Sequence, residues 1–558
     1  MCGIYGVIGK NAYEKVLSGL KLLQYRGYDS CGIAYFENGF KVIKTVGSLD
    51  NLKPVSANEE IAFGHTRWAT NGEVNLENAH PHISFDGKIV IVHNGIIKNA
   101  NDIKNELLKQ GISFYSSTDT EVIANYIAFH CKTTNIEDVL QSLFINLKGS
   151  FSLIVGNYNG EVYLVKKFSP LNVLVSSEEI YISSDVSSLS QGKLYCLKDY
   201  DIIKISQKEI KNISCPTLDF VDHNNNIKNL HLDKYSHFMQ KEIFETPIAI
   251  KKTYESIKDI DFDAIFRNFK KFTLIGCGTA YHSCLIGEYL LKNNLNMQIE
   301  TILASNYEIV SKLSRKHLHI IVSQSGETAD CIKVAEQIKK FGGKFLIITN
   351  EKLSTISKMA DFHIFTNAEK EIAVASTKTY CCQLFVFAYL YNKLKNKEFD
   401  ININKFVLDL ESYLKLLNID EIAIKLKNID RMIMIAKDID YITMLEASLK
   451  IREIDYVYTL PMYAGELKHG TLSLIEKGRI VVTFDSEHST KLQHATNEIM
   501  ARQGEIIDMS SFVPTDIDFA FKPIYAILPF QLLSYKIAVF NQRNPDMPRN
   551  LAKSVTVE

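Results

Sequence analysis

The hydrophobic pattern of this 558-residue chain changes at a polar stretch between residues 205 and 235. Before that stretch, short runs of branched residues ended by Gly or Asn predict many strands, with two principal helices at Ala12–Leu23 and Thr120–His130. After it, apolar runs such as Phe272–Ile275 alternate with helical patterns such as Ala329–Phe341, which is typical of βαβ units on a parallel sheet. The sequence therefore predicts an α+β sandwich followed by α/β domains.

The α/β pattern begins a second time after a polar helix around residues 400–430, with apolar runs at Met432–Ile435 and Ile480–Phe484. Two α/β domains in tandem are therefore expected. The predicted divisions are a first domain over 2–215, a linker over 216–250, α/β domains over 251–400 and 401–540, and a tail over 541–558.

Composition excludes several classes of protein. The chain has 63 Lys+Arg against 64 Asp+Glu, so it lacks the basic excess of a nucleic-acid-binding protein. Its ten cysteines are scattered without CxxC pairs, which argues against a disulfide framework and against a metal site of the zinc-ribbon kind. We expect no membrane partner, since no apolar run approaches ~18 residues, and a cytoplasmic location, since the N-terminus lacks signal-peptide features.

Cys2 is the first candidate catalytic residue. If the initiator Met is removed, Cys2 carries both a thiol and an α-amine, whose pKa of about 7.7–8 lets it accept the thiol proton. A cysteine at this position is by itself weak evidence, because free Cys is usually a buried packing residue.

Three further segments strengthen the case for Cys2. Arg67, in GHTRWATNG, can clamp a carboxylate, and the only Trp, Trp68, follows it. Asn94 and Gly95 follow an apolar strand and can form an oxyanion hole. Asp119, in STDT, can accept an ammonium. Together these groups suit hydrolysis of the glutamine side-chain amide.

Six motifs of the first domain resemble, in the same order, those of the class II glutamine amidotransferases. They are MCGIYGVIG, LQYRGYDSCGIA, GHTRWATNG, NAHPHIS, VHNGIIKN and STDTEVIA. This resemblance implies an N-terminal-nucleophile (Ntn) hydrolase sandwich with Cys2 as the nucleophile. It also implies that Asn94 and Gly95 stabilise the oxyanion and that Trp68 shields the site and gates ammonia. The implied glutamine-binding residues are Arg67, Trp68, Thr70 and Asp119. Asn71 stands where the family has His, so altered glutamine binding is expected.

In the second half, Ser323–Thr328 (SQSGET) lies between a predicted strand and a predicted helix. Hydroxyls and backbone N–H groups at a helix N-terminus form a phosphate cradle, although ordinary helix caps look similar. Gly276–Thr279 and Ala375–Thr377 are plausible walls of the same pocket. Together these segments resemble the sugar-isomerase (SIS) phosphosugar-binding domain.

Acid–base candidates follow in the second α/β domain and the tail. Glu446, Lys450 and Glu453 share one helix face by spacing, although such a face is most often a solvated ion-pair face. His469 lies in a predicted loop (AGELKHG), and Lys553, in the tail, could form a Schiff base if it were desolvated.

Four further motifs of the second half are similar to those of glutamine-dependent aminotransferases that act on hexose phosphates: ASTKTY, EASLKIREIDY, AGELKHG and PRNLAKSVTVE. The resemblance implies that L-glutamine and D-fructose 6-phosphate give glutamate and D-glucosamine 6-phosphate, the first step of amino-sugar synthesis. Ammonia would pass internally, without a cofactor, in a homodimer.

By the same resemblance, His469 opens the sugar ring, Lys553 forms the imine, and Glu453, assisted by Lys450, moves a proton between C1 and C2. The implied sugar-binding residues are Thr279, Ser323, Gln324, Ser325, Thr328, Glu371, Val374 and Ser376.

Two departures leave alternatives open. Ala280 stands where the family has Ser, and Ala436-Lys437-Asp438 replaces a Gly-Arg-Gly turn. A paralogue acting on a related ketose phosphate is therefore an alternative. Two others are a phosphosugar sensor without turnover and a phosphoribosyl amidotransferase, although the latter lacks paired SIS domains.

Overall fold

The computed structural model describes residues 2–554 except 54, 56–58, 70–71, 178, 207–208, 216, 225–231, 296, 310–312 and 491. Two compact units meet in the sequence at residues 230 and 231, and each is described by itself.

Unit 1 is a sandwich of two antiparallel sheets with helices on both outer faces. Its helices are α1 (Ala12–Leu23), α2 (Ala100–Lys109), α3 (Asp119–His130) and α4 (Ile136–Asn146). Its strands are β1 (Gly3–Ile8), β2 (Ser30–Phe36), β3 (Phe40–Val46), β4 (Ile61–Arg67), β5 (His82–Ile83), β6 (Ile89–Ile97), β7 (Gly149–Asn157), β8 (Val162–Lys167), β9 (Asn172–Ser176), β10 (Glu179–Ser183), β11 (Gln191–Cys196), β12 (Ile202–Ser206), β13 (Glu209–Asn212) and β14 (Val221–Asn224).

The order of the first sheet is β14-β11-β9-β10-β1-β4-β2-β3, and that of the second is β13-β12-β8-β7-β6-β5. Side chains that alternate along a strand enter different cores. In β1, Ile4 packs between the sheets, whereas Tyr5 packs beneath α1. In β6, Val90 joins the core between the sheets and Ile91 packs against the helices of the opposite face. Covering both faces explains why these antiparallel strands are apolar throughout.

Unit 2 contains two parallel sheets. Its helices are α5 (Phe238–Ile257), α6 (Phe262–Phe266), α7 (Thr279–Leu295), α8 (Ala329–Lys340), α9 (Thr355–Met359), α10 (Lys378–Lys395), α11 (Ile403–Leu416), α12 (Asp420–Leu426), α13 (Asp438–Asp455), α14 (Gln493–Met500) and α15 (Lys522–Phe540). Its strands are β15 (Lys271–Gly276), β16 (Gln298–Leu303), β17 (His317–Val322), β18 (Lys344–Thr349), β19 (Phe362–Phe365), β20 (Arg431–Ala436), β21 (Tyr458–Tyr463), β22 (Ile480–Thr483) and β23 (Glu505–Asp508).

The five-stranded sheet has the order β16-β15-β17-β18-β19 and the four-stranded sheet the order β21-β20-β22-β23. In the first, the chain crosses from β15 to β16 on one side and returns to β17 on the other, which opens a crevice at the carboxyl ends of β15 and β17. One apolar core extends through both halves of unit 2. The predicted sandwich and two parallel α/β domains are confirmed.

The range predicted as a linker, 216–250, contains regular structure. Strand β14 pairs with β11 in unit 1, and α5 begins at Phe238 and packs into the core of unit 2. Among the described helices, α15 is the one long and apolar enough to meet the length and composition of a membrane span, and 83% of its most apolar window is buried inside the protein.

Candidate active site

The thiol of Cys2 lies at the start of β1, beside the end of β4. Its Sγ accepts the backbone N–H of Trp68 at 3.2 Å and lies 3.5 Å from the Trp68 carbonyl oxygen. Burial raises the pKa of the thiol, while the positive charges of the chain amine and Arg67 oppose that rise. Burial has the larger effect, so the thiol is held in its neutral form, and the nearby positive charges only reduce the rise of its pKa.

Asn94 in β6 contacts the nucleophile residue, and Gly95 follows it in the same strand. The Asn94 amide Nδ2 donates to the Cys2 carbonyl at 3.1 Å, and its Oδ1 lies 3.1 Å from Nε2 of His65. Gly95 has a φ of +135°, and a Cβ there would lie 2.0 Å from the carbonyl oxygen of Ser150. Only glycine fits this position, and the preceding residue, Asn94, keeps its side-chain amide within hydrogen-bond distance of the Cys2 backbone.

Arg67 lies near the Cys2 thiol and Asp119 lies near Arg67, close enough for their charges to act on one another. Arg67 ends β4, is 3% exposed, and donates to the carbonyl oxygens of Gly72 and Glu73 at 3.2 and 3.1 Å. Burial lowers its pKa, and the charges of Cys2 and Asp119 oppose that change. Asp119 opens α3 and accepts the N–H of Ile97 at 2.9 Å.

Trp68 follows Arg67 and packs edge-on against Tyr28, with ring centroids 6.1 Å apart. Thr70, predicted to bind glutamine, and Asn71, the departure from the family motif, lie outside the described residues.

Four buried histidines pack behind this site, a feature that the sequence analysis missed. The rings of His65 and His80 stack at 4.0 Å, and His82 meets His80 edge-on at 4.9 Å. His93 contacts the Thr120 hydroxyl at 3.0 Å. Burial lowers the pKa of His65 to about 3 and lowers those of the other three, so the cluster is neutral at pH 7. Each histidine lies in a quoted motif, but only the fold brings them together.

In unit 2, a cavity of about 300 Å³ opens at the carboxyl ends of β15 and β17. Ten of the predicted sugar-site residues line it: Thr279, Ser323, Gln324, Ser325, Thr328, Val374, Ser376, Lys450, Glu453 and Lys553. Cys277 and Gly278, in the predicted wall Gly276–Thr279, line it as well. The lining residues that the sequence analysis did not assign to the pocket are Ala280, Val322, Asp330, Gln383, Leu551, Ala552 and Ser554.

The predicted phosphate cradle is the loop between β17 and α8. The hydroxyls of Ser323 and Thr328 lie 3.0 Å apart, and the Gly326 N–H donates to Ser323 Oγ at 3.1 Å. Gly326 has a φ of +60°, and a Cβ there would lie 2.1 Å from Ser354 Oγ. The turn places the side chains of Ser323, Ser325 and Thr328 around the cavity, just before the N-terminus of α8, and hydroxyls at a helix N-terminus suit a phosphate.

The acid–base candidates of α13, Glu446, Lys450 and Glu453, form one charged cluster. Lys450 is fully buried, and its Nζ lies 2.7 Å from Glu453 Oε2 and 3.3 Å from Glu446 Oε1. The Thr279 hydroxyl donates to Glu446 at 3.0 Å, and His282 Nδ1 lies 2.6 Å from its other oxygen. Burial alone would raise the pKa of Glu446, but Lys450 and these hydrogen bonds bring it below its usual range. Glu453, which is part-exposed, faces the cavity.

The Nζ of Lys553 enters the same cavity from the tail. It forms an ion pair with Glu371 and donates to the Ala373 carbonyl at 2.9 Å. Burial would raise the pKa of Glu371, but Lys553 and hydrogen bonds from Thr379 and Thr377 lower it to about 2. Glu371 therefore holds Lys553 and does not itself line the cavity.

His469 is not brought to this cavity within the chain. It ends a 3₁₀ turn over Ala464–His469 and is exposed. Large apolar side chains are exposed on the adjoining edge strand β21: Tyr458 is 83%, Leu460 41% and Tyr463 44% exposed. An uncovered apolar patch of this kind marks an interaction surface.

Gln383 is another residue that sequence reasoning missed. It lies on α10, lines the cavity and is 3% exposed. Its side-chain oxygen has no hydrogen-bond partner among the described residues, so it is available to a hydroxyl of a ligand.

Comparisons with known proteins match both units of the chain. The glutamine amidotransferase domain family matches residues 65–191, and the SIS domain family matches residues 265–393 and 425–517. Among solved structures, the C-terminal domain of a glucosamine-fructose-6-phosphate aminotransferase from Francisella tularensis is 28% identical. It has a TM-score of 0.50 and covers 57% of this chain and 100% of that chain.

Curated relatives extend this similarity to the whole chain. A glutamine–fructose-6-phosphate aminotransferase (isomerizing) from Pyrococcus horikoshii is 38% identical over 608 residues, covering 100% of both chains. A protein of the same name from Clostridium tetani is 36% identical over 615 residues, again covering 100% of both. The chain therefore belongs to the family of isomerising glutamine–fructose-6-phosphate aminotransferases.

Proposed function

We propose that this chain transfers the amide nitrogen of L-glutamine to D-fructose 6-phosphate, giving L-glutamate and D-glucosamine 6-phosphate. The observation that carries the proposal is the cavity of unit 2, where a phosphate cradle, the Lys450–Glu453 pair and Lys553 meet. A phosphate site, an acid–base carboxylate and an amine are the groups that amination and isomerisation of a ketose phosphate require.

In the glutaminase half, the Cys2 sulfur attacks the side-chain amide carbon of glutamine. The tetrahedral oxyanion is stabilised by the Asn94 amide and the Gly95 N–H. Ammonia leaves, and water then hydrolyses the thioester to glutamate. Arg67 and Asp119 bind the α-carboxylate and α-ammonium of the substrate, so the scissile amide meets the thiol in one orientation. The family resemblance adds Trp68 and Thr70 to the proposed glutamine-binding residues.

In the sugar half, the phosphate of fructose 6-phosphate binds Ser323, Ser325 and Thr328. The remaining proposed sugar contacts are Thr279, Gln324, Val374 and Ser376. Lys553 adds to the C2 carbonyl of the open ketose and forms an imine with loss of water. Ammonia then replaces the lysine at C2, and Glu453 carries a proton from C1 to C2. Lys450, paired with Glu453, keeps that carboxylate in place. No cofactor takes part, because Lys553 itself supplies the imine.

We further propose that the protein is a homodimer and that His469 opens the sugar ring in a site shared between two copies. The exposure of His469 beside the apolar surface of β21 supports this arrangement. The proposed amidotransferase domain spans 2–215, with the SIS domains over 251–400 and 401–540 and the tail over 541–558. Internal passage of ammonia, a cytoplasmic location and a role in amino-sugar synthesis complete the proposal.

A related ketose phosphate is the second candidate substrate. Ala280 lines the cavity where the family pattern has Ser, so one hydroxyl contact with the phosphosugar is missing. A panel of ketose 6-phosphates, each supplied with glutamine, separates the two candidates by kcat/KM.

The test of the main proposal measures glutamate and hexosamine phosphate together. Equal yields of glutamate and glucosamine 6-phosphate are expected, with both products lost in Cys2→Ala and only the amino sugar lost in Lys553→Ala. Glutamate without an amino sugar from any ketose phosphate would refute the sugar half of the proposal, and neither product would favour a sensor.

A further inference from the structure

Glu242 is a buried acid on α5 that the proposed reaction does not use. The residue is 2% exposed. Its Oε1 accepts the backbone N–H groups of Ile372 and Ala373, the latter at 3.3 Å. Its second oxygen, Oε2, is buried without a hydrogen-bond partner among the residues that the structure describes. An unpartnered oxygen is far less costly on a neutral carboxylic acid than on a buried carboxylate.

The backbone that Glu242 holds is the backbone that holds Lys553. The Ala373 carbonyl accepts from Lys553 Nζ at 2.9 Å, and Glu371, two residues earlier, forms the ion pair with the same nitrogen. One carboxyl on α5 therefore fixes the turn 371–373, and this turn provides both contacts of the reactive amine.

Several charged groups surround Glu242. Those that act on it directly are Glu371 in the loop before α10, Lys378 on α10 and Lys553 in the tail. Lys378 is already paired, 2.8 Å from Glu245. From the other helices packed on α5, Tyr535 of α15 bonds to Gln240 at 3.1 Å, and Glu411 and Lys415 of α11 line a groove beside Gln240.

The balance of these surroundings keeps Glu242 neutral at pH 7. Burial, together with the negative charge of Glu371, raises the pKa of Glu242 to about 8, although Lys553 and Lys378 oppose the rise. The proton resides on Oε2, because Oε1 already accepts two N–H groups.

We propose that neutral Glu242 is a positioning residue for Lys553: it fixes the turn that orients the amine, and its ionisation adds a negative charge that keeps Lys553 as the unreactive ammonium. The inference rests on the proposed function, since it requires Lys553 to form the imine. The ammonium must lose a proton before the free amine can add to C2 and the C2 oxygen can leave as water. A second carboxylate close to the ammonium opposes that loss.

The experiment traps the imine instead of following the whole reaction. Full-length protein is incubated with fructose 6-phosphate and cyanoborohydride, which reduces the imine to a secondary amine, and the modified Lys553 peptide is quantified by mass spectrometry from pH 6.5 to 9.5. Wild type, Glu242→Gln, Glu242→Ala and Glu245→Gln are compared. Glu245 serves as the matched control because it lies on the same helix and pairs with Lys378 without touching the turn.

In wild type and Glu245→Gln, the trapping rate should fall about tenfold between pH 7 and pH 9, as Glu242 ionises. In Glu242→Gln, which has the same shape and cannot ionise, this fall should disappear. Glu242→Ala should trap at least tenfold less at pH 7, with glutamine hydrolysis by unit 1 unchanged.

The same alkaline fall in Glu242→Gln and wild type would overturn the inference, as would wild-type trapping in Glu242→Ala. If wild type itself traps no sugar at Lys553, the proposed function fails as well, so the two failures are distinguishable. Circular dichroism shows whether Glu242→Ala is misfolded or has only lost the positioning of Lys553. Whether or not that variant folds, Glu242→Gln tests the pH dependence of the trapping rate.

Discussion

Replacing Lys450 with Met tests the reasoning about the buried charges of α13 most directly. The Lys450 side chain is 0% exposed and compensates Glu446, which is 0% exposed as well. Burial would lower the pKa of Lys450, but Glu446 and Glu453 raise it, so the ammonium is present at every pH of interest. Met fills a similar volume without the charge, and Glu446 would then be left with only His282 and the Thr279 hydroxyl.

Removing one partner of a buried ion pair costs about 3–5 kcal/mol, since the other charge remains desolvated. We therefore expect Lys450→Met to lower the free energy of unfolding of unit 2 by about 3–5 kcal/mol at pH 7. Lys292→Met is the matched control: Lys292 pairs with Glu288 at 2.9 Å in the same i, i+4 arrangement, but its side chain is 53% exposed. An exposed pair contributes about 0.3–0.5 kcal/mol.

The loss should depend on pH in a defined direction. In wild type, the pKa of Glu446 lies below its ordinary value of 4.5. The contribution of ionised Glu446 to the free energy of unfolding is therefore complete above pH 4.5 and is lost as pH falls through the pKa of the folded state. Without Lys450, burial raises the pKa of Glu446, and the native state binds a proton that the unfolded chain does not. The destabilisation should therefore shrink as pH falls from 7 to 5.

Urea unfolding followed by far-ultraviolet circular dichroism gives the measurement. Trp68 is the only Trp in the chain and lies in unit 1, so its fluorescence transition should not move. The double variant Lys450→Met/Glu446→Gln should regain more than half of the loss. A loss below about 1 kcal/mol, or one that is independent of pH, would refute the assignment of a charged, desolvated pair.

Three further substitutions probe the two sites. Gly95→Ala places a Cβ 2.0 Å from the Ser150 carbonyl oxygen. Glutamine hydrolysis, measured as glutamate release, should fall by about 100-fold or more, whereas imine trapping at Lys553 should stay at the wild-type level. Arg67→Lys should raise KM for glutamine about tenfold or more with a smaller change in kcat, because a point charge replaces a bidentate clamp; steady-state kinetics decides, and an unchanged KM would contradict the role. Glu371→Gln removes a carboxylate whose pKa is lowered from 4.5 to about 2. That shift contributes about 3 kcal/mol to the free energy of unfolding above pH 4.5, and the contribution is lost as pH falls towards 2. Acid titrations of unfolding should therefore show a weaker pH dependence in the variant than in wild type.

Helical periodicity predicted the two principal helices of unit 1 closely. The helix Ala12–Leu23 begins and ends as predicted. The helix predicted over Thr120–His130 begins one residue earlier, at Asp119, because the Thr118 side chain caps it by accepting the Glu121 N–H. The polar edge strand β14 was not predicted. Its residues are mostly exposed, and its structure comes from pairing with β11 and not from an apolar pattern.

The sugar site could be predicted only in part. The hydroxyls of the loop after β17 are adjacent in sequence, so a local pattern indicated the cradle. Glu371 and Lys553 are 182 positions apart, and only the resemblance to a family joined them. Neither Glu242 nor Gln383 lies in a recognised motif. Both stand out only by their burial and their unpartnered side-chain oxygens, which a sequence pattern does not show.

The helix α13 lies between β20 and β21 of the second SIS domain, yet its Lys450 and Glu453 line the cavity at the carboxyl ends of β15 and β17 in the first. Neither SIS domain alone therefore contains the complete set of proposed reacting groups. If the two SIS domains arose by duplication of an ancestral gene, each copy now supplies a different part of the proposed site. Their relative position is then constrained, since a shift of one domain against the other separates the bound phosphate from Glu453. Correct docking of the two sheets is thus a condition of activity, and turnover itself reports that this part of the chain has folded as one body.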